Sequence, residues 1–294
     1  MKILIIGAKG NLGGQLQIVF QDQEVFAWDR DDIDITDKEQ IDIKIDKLKP
    51  DIIINAAAYN AVDKCEIDNA EFKLAKMLNG TAVGYLADAA IRNKSLFIHF
   101  STDHVFSGHN PARQLEAKLN GGFAEDDETA TLNRYSESKL LGEKEILKRE
   151  TKGLEYYIVR LSLLFGPKGE SPESKPSFFD LMLALSNKQE ELTVVYDEVS
   201  CFTYSPDLAQ TVKKIVFDKM PFGIYHITNS GQASWYDGAR EYFNLLNSDV
   251  RIKPVSGAIF HRPAKRPSFS ALKNTKLEPL RDYKDALKDY LKLK

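Results

Sequence analysis

The chain has 294 residues, 43% of them hydrophobic, enough to build a sizeable core in one large or two modest domains. Forty Lys and Arg stand against 43 Asp and Glu, for a net charge of −3. That balance gives no broad basic footprint for nucleic acid or an anionic membrane, and the composition argues against the disordered and fibrous classes. Two distant cysteines, Cys65 and Cys201, fit a reducing compartment better than a disulfide framework.

The opening MKILIIGAKG holds no signal-peptide apolar region, and no apolar run of ~18 residues follows it. A soluble, cytoplasmic protein is expected, with the sequons at Asn79 and Asn93 arising by chance. Ile3 to Ile6, Val25 to Trp28, Ile52 to Ile54, Leu96 to Phe100 and Tyr156 to Leu161 are short, apolar and bounded by polar or turn residues, so they read as buried strands. Helical spacing marks residues 11–20, 37–48, 68–92 and 134–150 between them. Strand–helix alternation of this kind predicts an α/β fold of the Rossmann type, with a doubly wound parallel sheet carrying helices on both faces.

After Gly166 the texture changes. The run GPKGESPESKPS holds three prolines and reads as a loop or hinge. Helices near 177–187, 205–217, 234–246 and 282–292 follow, with strands near 192–196 and from Gly223 to Ile227 and a loop carrying Pro254, Pro263 and Pro267. Residues 1–168 are expected to form a dinucleotide-binding domain, to which segments near 197–230 return. Residues 169–294 are expected to form most of a smaller, discontinuous substrate domain.

Between the first strand and first helix lie Gly7, Gly10 and Gly13, spaced GxxGxxG. Glycines allow a tight turn and a close backbone approach, and a helix N-terminus presents free N–H groups and partial positive charge, so a pyrophosphate fits there. The second strand ends in Asp29 and Arg30. A carboxylate can accept from both adenosine ribose hydroxyls and a guanidinium can pair with a 2′-phosphate, so use of both NADH and NADPH is expected.

Tyr135 and Lys139 are four apart and share one face of a helix. A phenol is a poor acid or base at neutrality, and making it effective takes about 4 kcal/mol of differential stabilisation. A neighbouring ammonium and the positive charge of an oxidised nicotinamide are expected to supply much of this by lowering the phenol pKa. Tyr135 would then donate a proton to a carbonyl oxygen as hydride reaches its carbon. Ser101 and Thr102 close the fourth strand, at the sheet edge where ligands of such folds bind. A hydroxyl there either bonds the reacting carbonyl, orients Tyr135, or caps the turn.

These residues together resemble the extended short-chain dehydrogenases/reductases, and within them the dTDP-4-dehydrorhamnose reductase family. The resemblance rests on the glycine turn, IDITD at Ile33 to Asp37, NAAAYNAVDKCE at Asn55 to Glu66, STDHVFSG at Ser101 to Gly108 and YSESKLLGE at Tyr135 to Glu143. TYSPDLA at Thr203 to Ala209, GIYHITNSGQASWYDGA at Gly223 to Ala239 and RPSFSAL at Arg266 to Leu272 are the more characteristic of this branch.

The resemblance implies NAD(P)H-dependent reduction of the C4 keto group of a dTDP-linked 4-keto-6-deoxy sugar, in the biosynthesis of dTDP-L-rhamnose for cell-wall polysaccharide. It implies Tyr135 as proton donor, Lys139 as ribose-holding residue and Thr102 beside the sugar carbonyl. Gly7, Gly10, Asn11, Leu12 and Gly13 would meet the pyrophosphate, and Asp29 and Arg30 the adenosine ribose. Asp34 and Ile35 would meet the adenine, and Ala57, Ala58 and Tyr59 the nicotinamide half. Asp103, His104, Leu163 and Arg266 complete the implied substrate contacts, Arg266 on a phosphate.

His104 stands where the family usually has Tyr, and Leu163 where it often has a stacking Trp. Reduction of another nucleotide-linked 4-keto-6-deoxy sugar is therefore an alternative. A non-catalytic regulatory subunit similar to the β subunit of methionine adenosyltransferase would not need Tyr135, Lys139 and Thr102, and an epimerase or dehydratase would lack the late motifs. Gln15 occupies a position where some members carry a metal-bridging glutamate, and the five histidines show no ligand spacing, so no metal is expected. A monomer or homodimer is expected.

Overall fold

The computed structural model describes residues 1–172 and 174–293; Glu173, inside the proline-bearing loop, and Lys294 lie outside the described residues. The first part of the chain runs β1 (Lys2–Ile6), α1 (Asn11–Val19), β2 (Glu24–Trp28), α2 (Lys38–Leu48), β3 (Ile52–Asn55), α3 (Val62–Ile67), α4 (Asn69–Lys76), a π-helical turn (Met77–Thr81), α5 (Ala82–Asn93), β4 (Leu96–Thr102), α6 (Pro111–Leu119), α7 (Arg134–Leu147) and β5 (Tyr156–Leu161). All five expected strands form. Their side chains alternate between two cores, as the period of two requires. Ile3 and Ile5 pack with Leu12 and Leu16 of α1 and with Leu208 and Val212 of the helix Ser205–Phe217. Leu4 and Ile6 pack on the other face with Ile41 and Ile45 of α2 and Val83 and Leu86 of α5.

The strands join one parallel sheet of six, in which Gly223–His226 pairs with β5 and is followed in order by β4, β3, β1 and β2. A late segment thus closes the edge of a sheet built by the early chain. β1 lies between β2 and β3, so the chain reverses its winding direction there, and the carboxyl ends of β1 and β3 open a crevice.

The expected helix over 68–92 is instead α4, the π turn and α5 in succession. The remaining expected helices appear at Phe178–Ser186, Ser205–Phe217, Trp235–Leu245 and Tyr283–Lys292. Outside the large sheet, Glu191–Val195 pairs in parallel with Arg251–Val255. A third core, dense in aromatic rings, gathers Phe165, Phe179, Phe202, Tyr204, Tyr242, Phe243 and Tyr290. A smaller cluster of Phe106, Phe123, Phe269 and Leu272 joins the end of β4 to the late chain, with Phe106 and Phe123 stacked at 4.7 Å. Among the described residues, no helix is long and apolar enough to cross a membrane.

Candidate active site

The glycine turn follows β1 at the crevice. Gly7 has φ of +79°, and its N–H, like that of Ala8, donates to the Trp28 carbonyl at the end of β2. A Cβ on Gly7 would lie 2.6 Å from the Ala57 nitrogen, and one on Gly13 would lie 2.2 Å from the Gly7 carbonyl oxygen. The bare turn thus brings α1 against β1 and the end of β3, and the loop after β5 lies on it, where a Cβ on Gly169 would be 2.4 Å from the Gly10 carbonyl carbon. The first turn of α1 holds no acidic residue, which suits an anion at its N-terminus. Asn11 donates through Nδ2 to the Pro167 carbonyl at 2.6 Å, while its Oδ1 is buried without a partner. Leu12 faces the core. This cradle fits a dinucleotide pyrophosphate.

Asp29 ties the turn to the end of β2 by accepting from the Lys9 N–H at 3.0 Å and the Arg30 N–H at 2.9 Å. Asp34 accepts from both the N–H and the hydroxyl of Thr36, and Ile35 is buried in the core beneath α2. Across the crevice, the Ala57 N–H donates to Asn55 Oδ1 at 3.2 Å, and Ala58 follows directly. Tyr59 is clasped at its backbone by Asn79 of the π turn, whose Oδ1 accepts from the Tyr59 N–H at 2.8 Å. Asn79 also donates to the Tyr59 carbonyl and to the Ser138 hydroxyl of α7. Tyr59 packs beside Tyr135, with its hydroxyl donating to Glu71.

A capping box of Asn133 and Ser136 starts α7, so Tyr135 lies in its first turn with Lys139 one turn later. Both are buried. Lys139 donates from Nζ to the Phe100 carbonyl at 2.7 Å, and burial pulls its pKa down to about 8 against the opposing charge of Glu143. Tyr135 differs from expectation. Burial pushes its phenol pKa up, the Asp103 carboxylate adds to the rise, and a hydrogen bond with Thr102 opposes it. The Lys139 ammonium, which gives one of its three hydrogens to the Phe100 carbonyl, is not among the groups that lower the phenol. The phenol therefore stays protonated, which is the form that donates.

Thr102 ends β4. Its hydroxyl donates to Asp103 Oδ1 at 3.0 Å and accepts from the His104 N–H at 3.2 Å. Asp103 is 3% exposed, and its Oδ2 accepts from the hydroxyls of Ser200 at 2.8 Å and Ser270 at 2.5 Å. The His104 ring stands edge-on to Tyr135 at 5.7 Å with its Nδ1 buried and unpartnered, and burial lowers its pKa. Leu163 has φ of +33° and turns its side chain onto the aromatic core. Arg266 reaches back to α3, where it pairs with Asp63 at 2.9 Å. Among the described residues, no group of three His, Cys, Asp or Glu side chains is placed to hold a metal ion.

Sequence reasoning missed Asn55, Asn79, Asp63, Ser200 and Ser270. Asn55, Asp63 and Ser270 lie inside the quoted motifs NAAAYNAVDKCE and RPSFSAL, a signal that was available. Asn79 and Ser200 have no local pattern, because their partners lie 59 and 97 residues away.

The chain is similar along its whole length to known proteins of one family. The family described as the RmlD substrate binding domain matches residues 1–294. A dTDP-4-dehydrorhamnose reductase of Aggregatibacter actinomycetemcomitans is 36% identical, over 94% of this chain and 92% of its own length. A probable dTDP-4,6-dihydroxy-2-methyloxan-3-one 4-ketoreductase of Streptomyces antibioticus is 34% identical, over 98% of this chain and 94% of its own. The crystal structure of a Bacillus anthracis dTDP-4-dehydrorhamnose reductase in complex with NADP superposes with a TM-score of 0.87 at 29% identity, covering 100% of this chain and 99% of that one.

Proposed function

The chain belongs to the RmlD substrate-binding-domain family, and from that membership we propose that it is an NAD(P)H-dependent reductase of a dTDP-linked 4-keto-6-deoxy sugar, converting dTDP-4-dehydrorhamnose to dTDP-L-rhamnose. The observation that carries this reading is the placement of Tyr135 and Lys139 on α7 beside Thr102, next to a glycine cradle at the reversal point of the sheet. Residues 1–168, with the returning strand Gly223–His226, form the proposed dinucleotide-binding part, and residues 169–294 most of the sugar-nucleotide part.

Gly7, Gly10, Asn11, Leu12 and Gly13 would hold the pyrophosphate of the cofactor, with Asp29, Arg30, Asp34 and Ile35 on its adenosine and Ala57, Ala58 and Tyr59 on its nicotinamide half. NAD(P)H supplies the hydride. Lys139 would hold the ribose hydroxyls with the ammonium hydrogens that it does not give to the Phe100 carbonyl. Tyr135, kept protonated by burial and by the charge of Asp103, gives its proton to the oxygen that was the ketone. His104, Leu163 and Arg266 are the proposed sugar-nucleotide contacts, while Asp103 is buried with both carboxylate oxygens held by hydroxyls of this chain. Arg266 would trade Asp63 for a phosphate of the substrate.

The test is loss of NADH or NADPH absorbance with enzymatically generated dTDP-4-keto-L-rhamnose. Tyr135→Phe should lower kcat by about 10²- to 10⁴-fold, the usual worth of a positioned general acid, while cofactor affinity by fluorescence titration stays unchanged. Absence of turnover by the unaltered chain with either cofactor would defeat the reading. His104 and Leu163 favour a second substrate of the same class, another nucleotide-linked 4-keto-6-deoxy sugar, which a panel of such ketosugars in the same assay would reveal.

A further inference from the structure

The loop that leaves the sheet after β5 returns to the glycine turn and lies against it. Asn11 donates through Nδ2 to the Pro167 carbonyl at 2.6 Å, and the Ser171 N–H donates to the Lys9 carbonyl at 2.9 Å. Between these two bonds sits Gly169, whose own N–H donates back to the Ser174 hydroxyl at 3.1 Å. A Cβ on Gly169 would lie 2.4 Å from the Gly10 carbonyl carbon, 2.5 Å from the Lys9 oxygen and 2.6 Å from the Asn11 nitrogen. Its Cα, one bond further off, is thus within about 4 Å of the Gly10–Asn11 peptide.

The same peptide opens α1, and the first N–H groups of a helix have no partner within it. A phosphate oxygen accepting from those groups stands at roughly 2.9 Å, with the bulk of the phosphate beyond it. Loop and phosphate cannot both lie against Gly10 and Asn11. Lys168 and Glu170, on either side of Gly169, are exposed, so backbone contact more than side-chain burial joins the loop to the turn. Its ends are fixed more firmly. Phe165 before it and Phe179 after it are buried in the aromatic core, with ring centroids 5.1 Å apart. The middle of the loop can therefore lift while both ends stay in place.

We propose that residues 167–171 form a strap that competes with the dinucleotide for the pyrophosphate cradle, so that the cofactor binds by displacing it. The inference rests on the reading of the glycine turn as the cofactor site. A site that is open for only a fraction of the time binds with an affinity reduced by that fraction. The strap therefore opposes every ligand that brings a pyrophosphate to the turn, whether or not it carries a nicotinamide. At the ordinary net strength of a hydrogen bond, the two bonds to the turn favour the closed form by about tenfold.

Gly169→Ala separates the strap from the turn. Gly169 has no positive φ that would strain an alanine, whereas in the closed position the new methyl meets backbone on three sides. The full chain and the variant are titrated with NADPH by fluorescence and with ADP-ribose by calorimetry. The variant should bind both ligands about three- to tenfold more tightly, as the closed form is removed from the equilibrium. Damage to the fold lowers affinity, so a gain is specific to release of the strap. Unchanged or weaker binding overturns the proposal, and so does a gain for NADPH that ADP-ribose does not share.

Amide hydrogen exchange of the unaltered chain tests the same point without a substitution. The Ser171 N–H, bonded to the Lys9 carbonyl, should exchange faster when NADPH saturates the chain, although a ligand ordinarily slows exchange at its own site. Slower exchange there would mean that the loop clamps the cofactor, and displacement would be overturned. If neither form of the chain binds NADPH or ADP-ribose, the cofactor reading itself falls. If both forms bind them with the same Kd, the cofactor reading stands and only the strap falls.

Discussion

Gly7 carries two constraints at once. Its φ of +79° costs an L-residue roughly 1–2 kcal/mol, and its missing Cβ leaves space that the Ala56–Ala57 backbone fills. In Gly7→Ala the new methyl would meet the Ala57 nitrogen at 2.6 Å, so one of the two strand ends must shift. Both ends line the proposed cofactor crevice. The expected result is a cofactor Kd raised by about tenfold or more, since each 1.4 kcal/mol is a factor of ten, measured by quenching of NAD(P)H fluorescence. An unchanged Kd would place the dinucleotide elsewhere. Leu163 is the opposite case, a bulky residue with φ of +33° where glycine would be easier. Its side chain is kept there by the aromatic core it packs against, and strain of this kind is typical beside functional sites.

At the scale of elements, local pattern told most of the story. The strands were legible because both faces of this sheet are covered, which makes each a short apolar run. The longer helices were legible from their period. The π turn at Met77–Thr81 was not, because its cause lies in tertiary contacts: Asn79 holds Tyr59 and Ser138, and its carbonyl meets Gly142 of α7 so closely that a Cβ there would lie 2.2 Å away. Tyr135, Lys139 and the glycine turn were found because their spacing is local. Ser200 and Ser270 were not, since nothing nearby in sequence marks them as partners of Asp103. The bond from Lys139 to the Phe100 carbonyl was not legible for a related reason: spacing on a helix says which face two residues share, not which acceptor a buried ammonium will find. α7 and β5 are also joined by an ion pair, in which Arg160 Nε and Nη2 donate to Glu143 at 2.9 and 2.7 Å with both side chains no more than 3% exposed. Glu143→Gln leaves the guanidinium buried without its counter-charge, which should cost about 3–5 kcal/mol in urea unfolding. A loss below about 1 kcal/mol, the usual range for exposed pairs, would show that the pair is solvated in solution.

Across the whole molecule, response to acid follows from which titrating groups the fold keeps neutral. His226 lies at the edge strand of the sheet, and burial, with the charge of Arg160, lowers its pKa to about 3. His99 of β4, bonded to Asn55 of β3, is lowered well below the ordinary histidine value by burial and by Lys139. In the unfolded chain both titrate near 6.5. As the pH falls below 6.5 the unfolded state therefore binds protons that the folded state refuses, and stability falls with pH, for His226 until about 3. The carboxylates that ion pairs hold low, such as Asp88 beside Arg149, act in a separate window, beginning only near their unfolded value of 3.8. Between pH 7 and 5 the slope belongs to the buried histidines. His226 alone should remove about 2 kcal/mol by pH 5 at the full slope of ~1.4 kcal/mol per pH unit. Urea midpoints at pH 7, 6 and 5 measure this, with His226→Gln expected to flatten the dependence while lowering stability at pH 7 through its lost contacts. A midpoint that does not move between pH 7 and 5 would mean that His226 is reached by solvent and protonates in the folded state, and the closed sheet edge made by the late strand would have to open in solution.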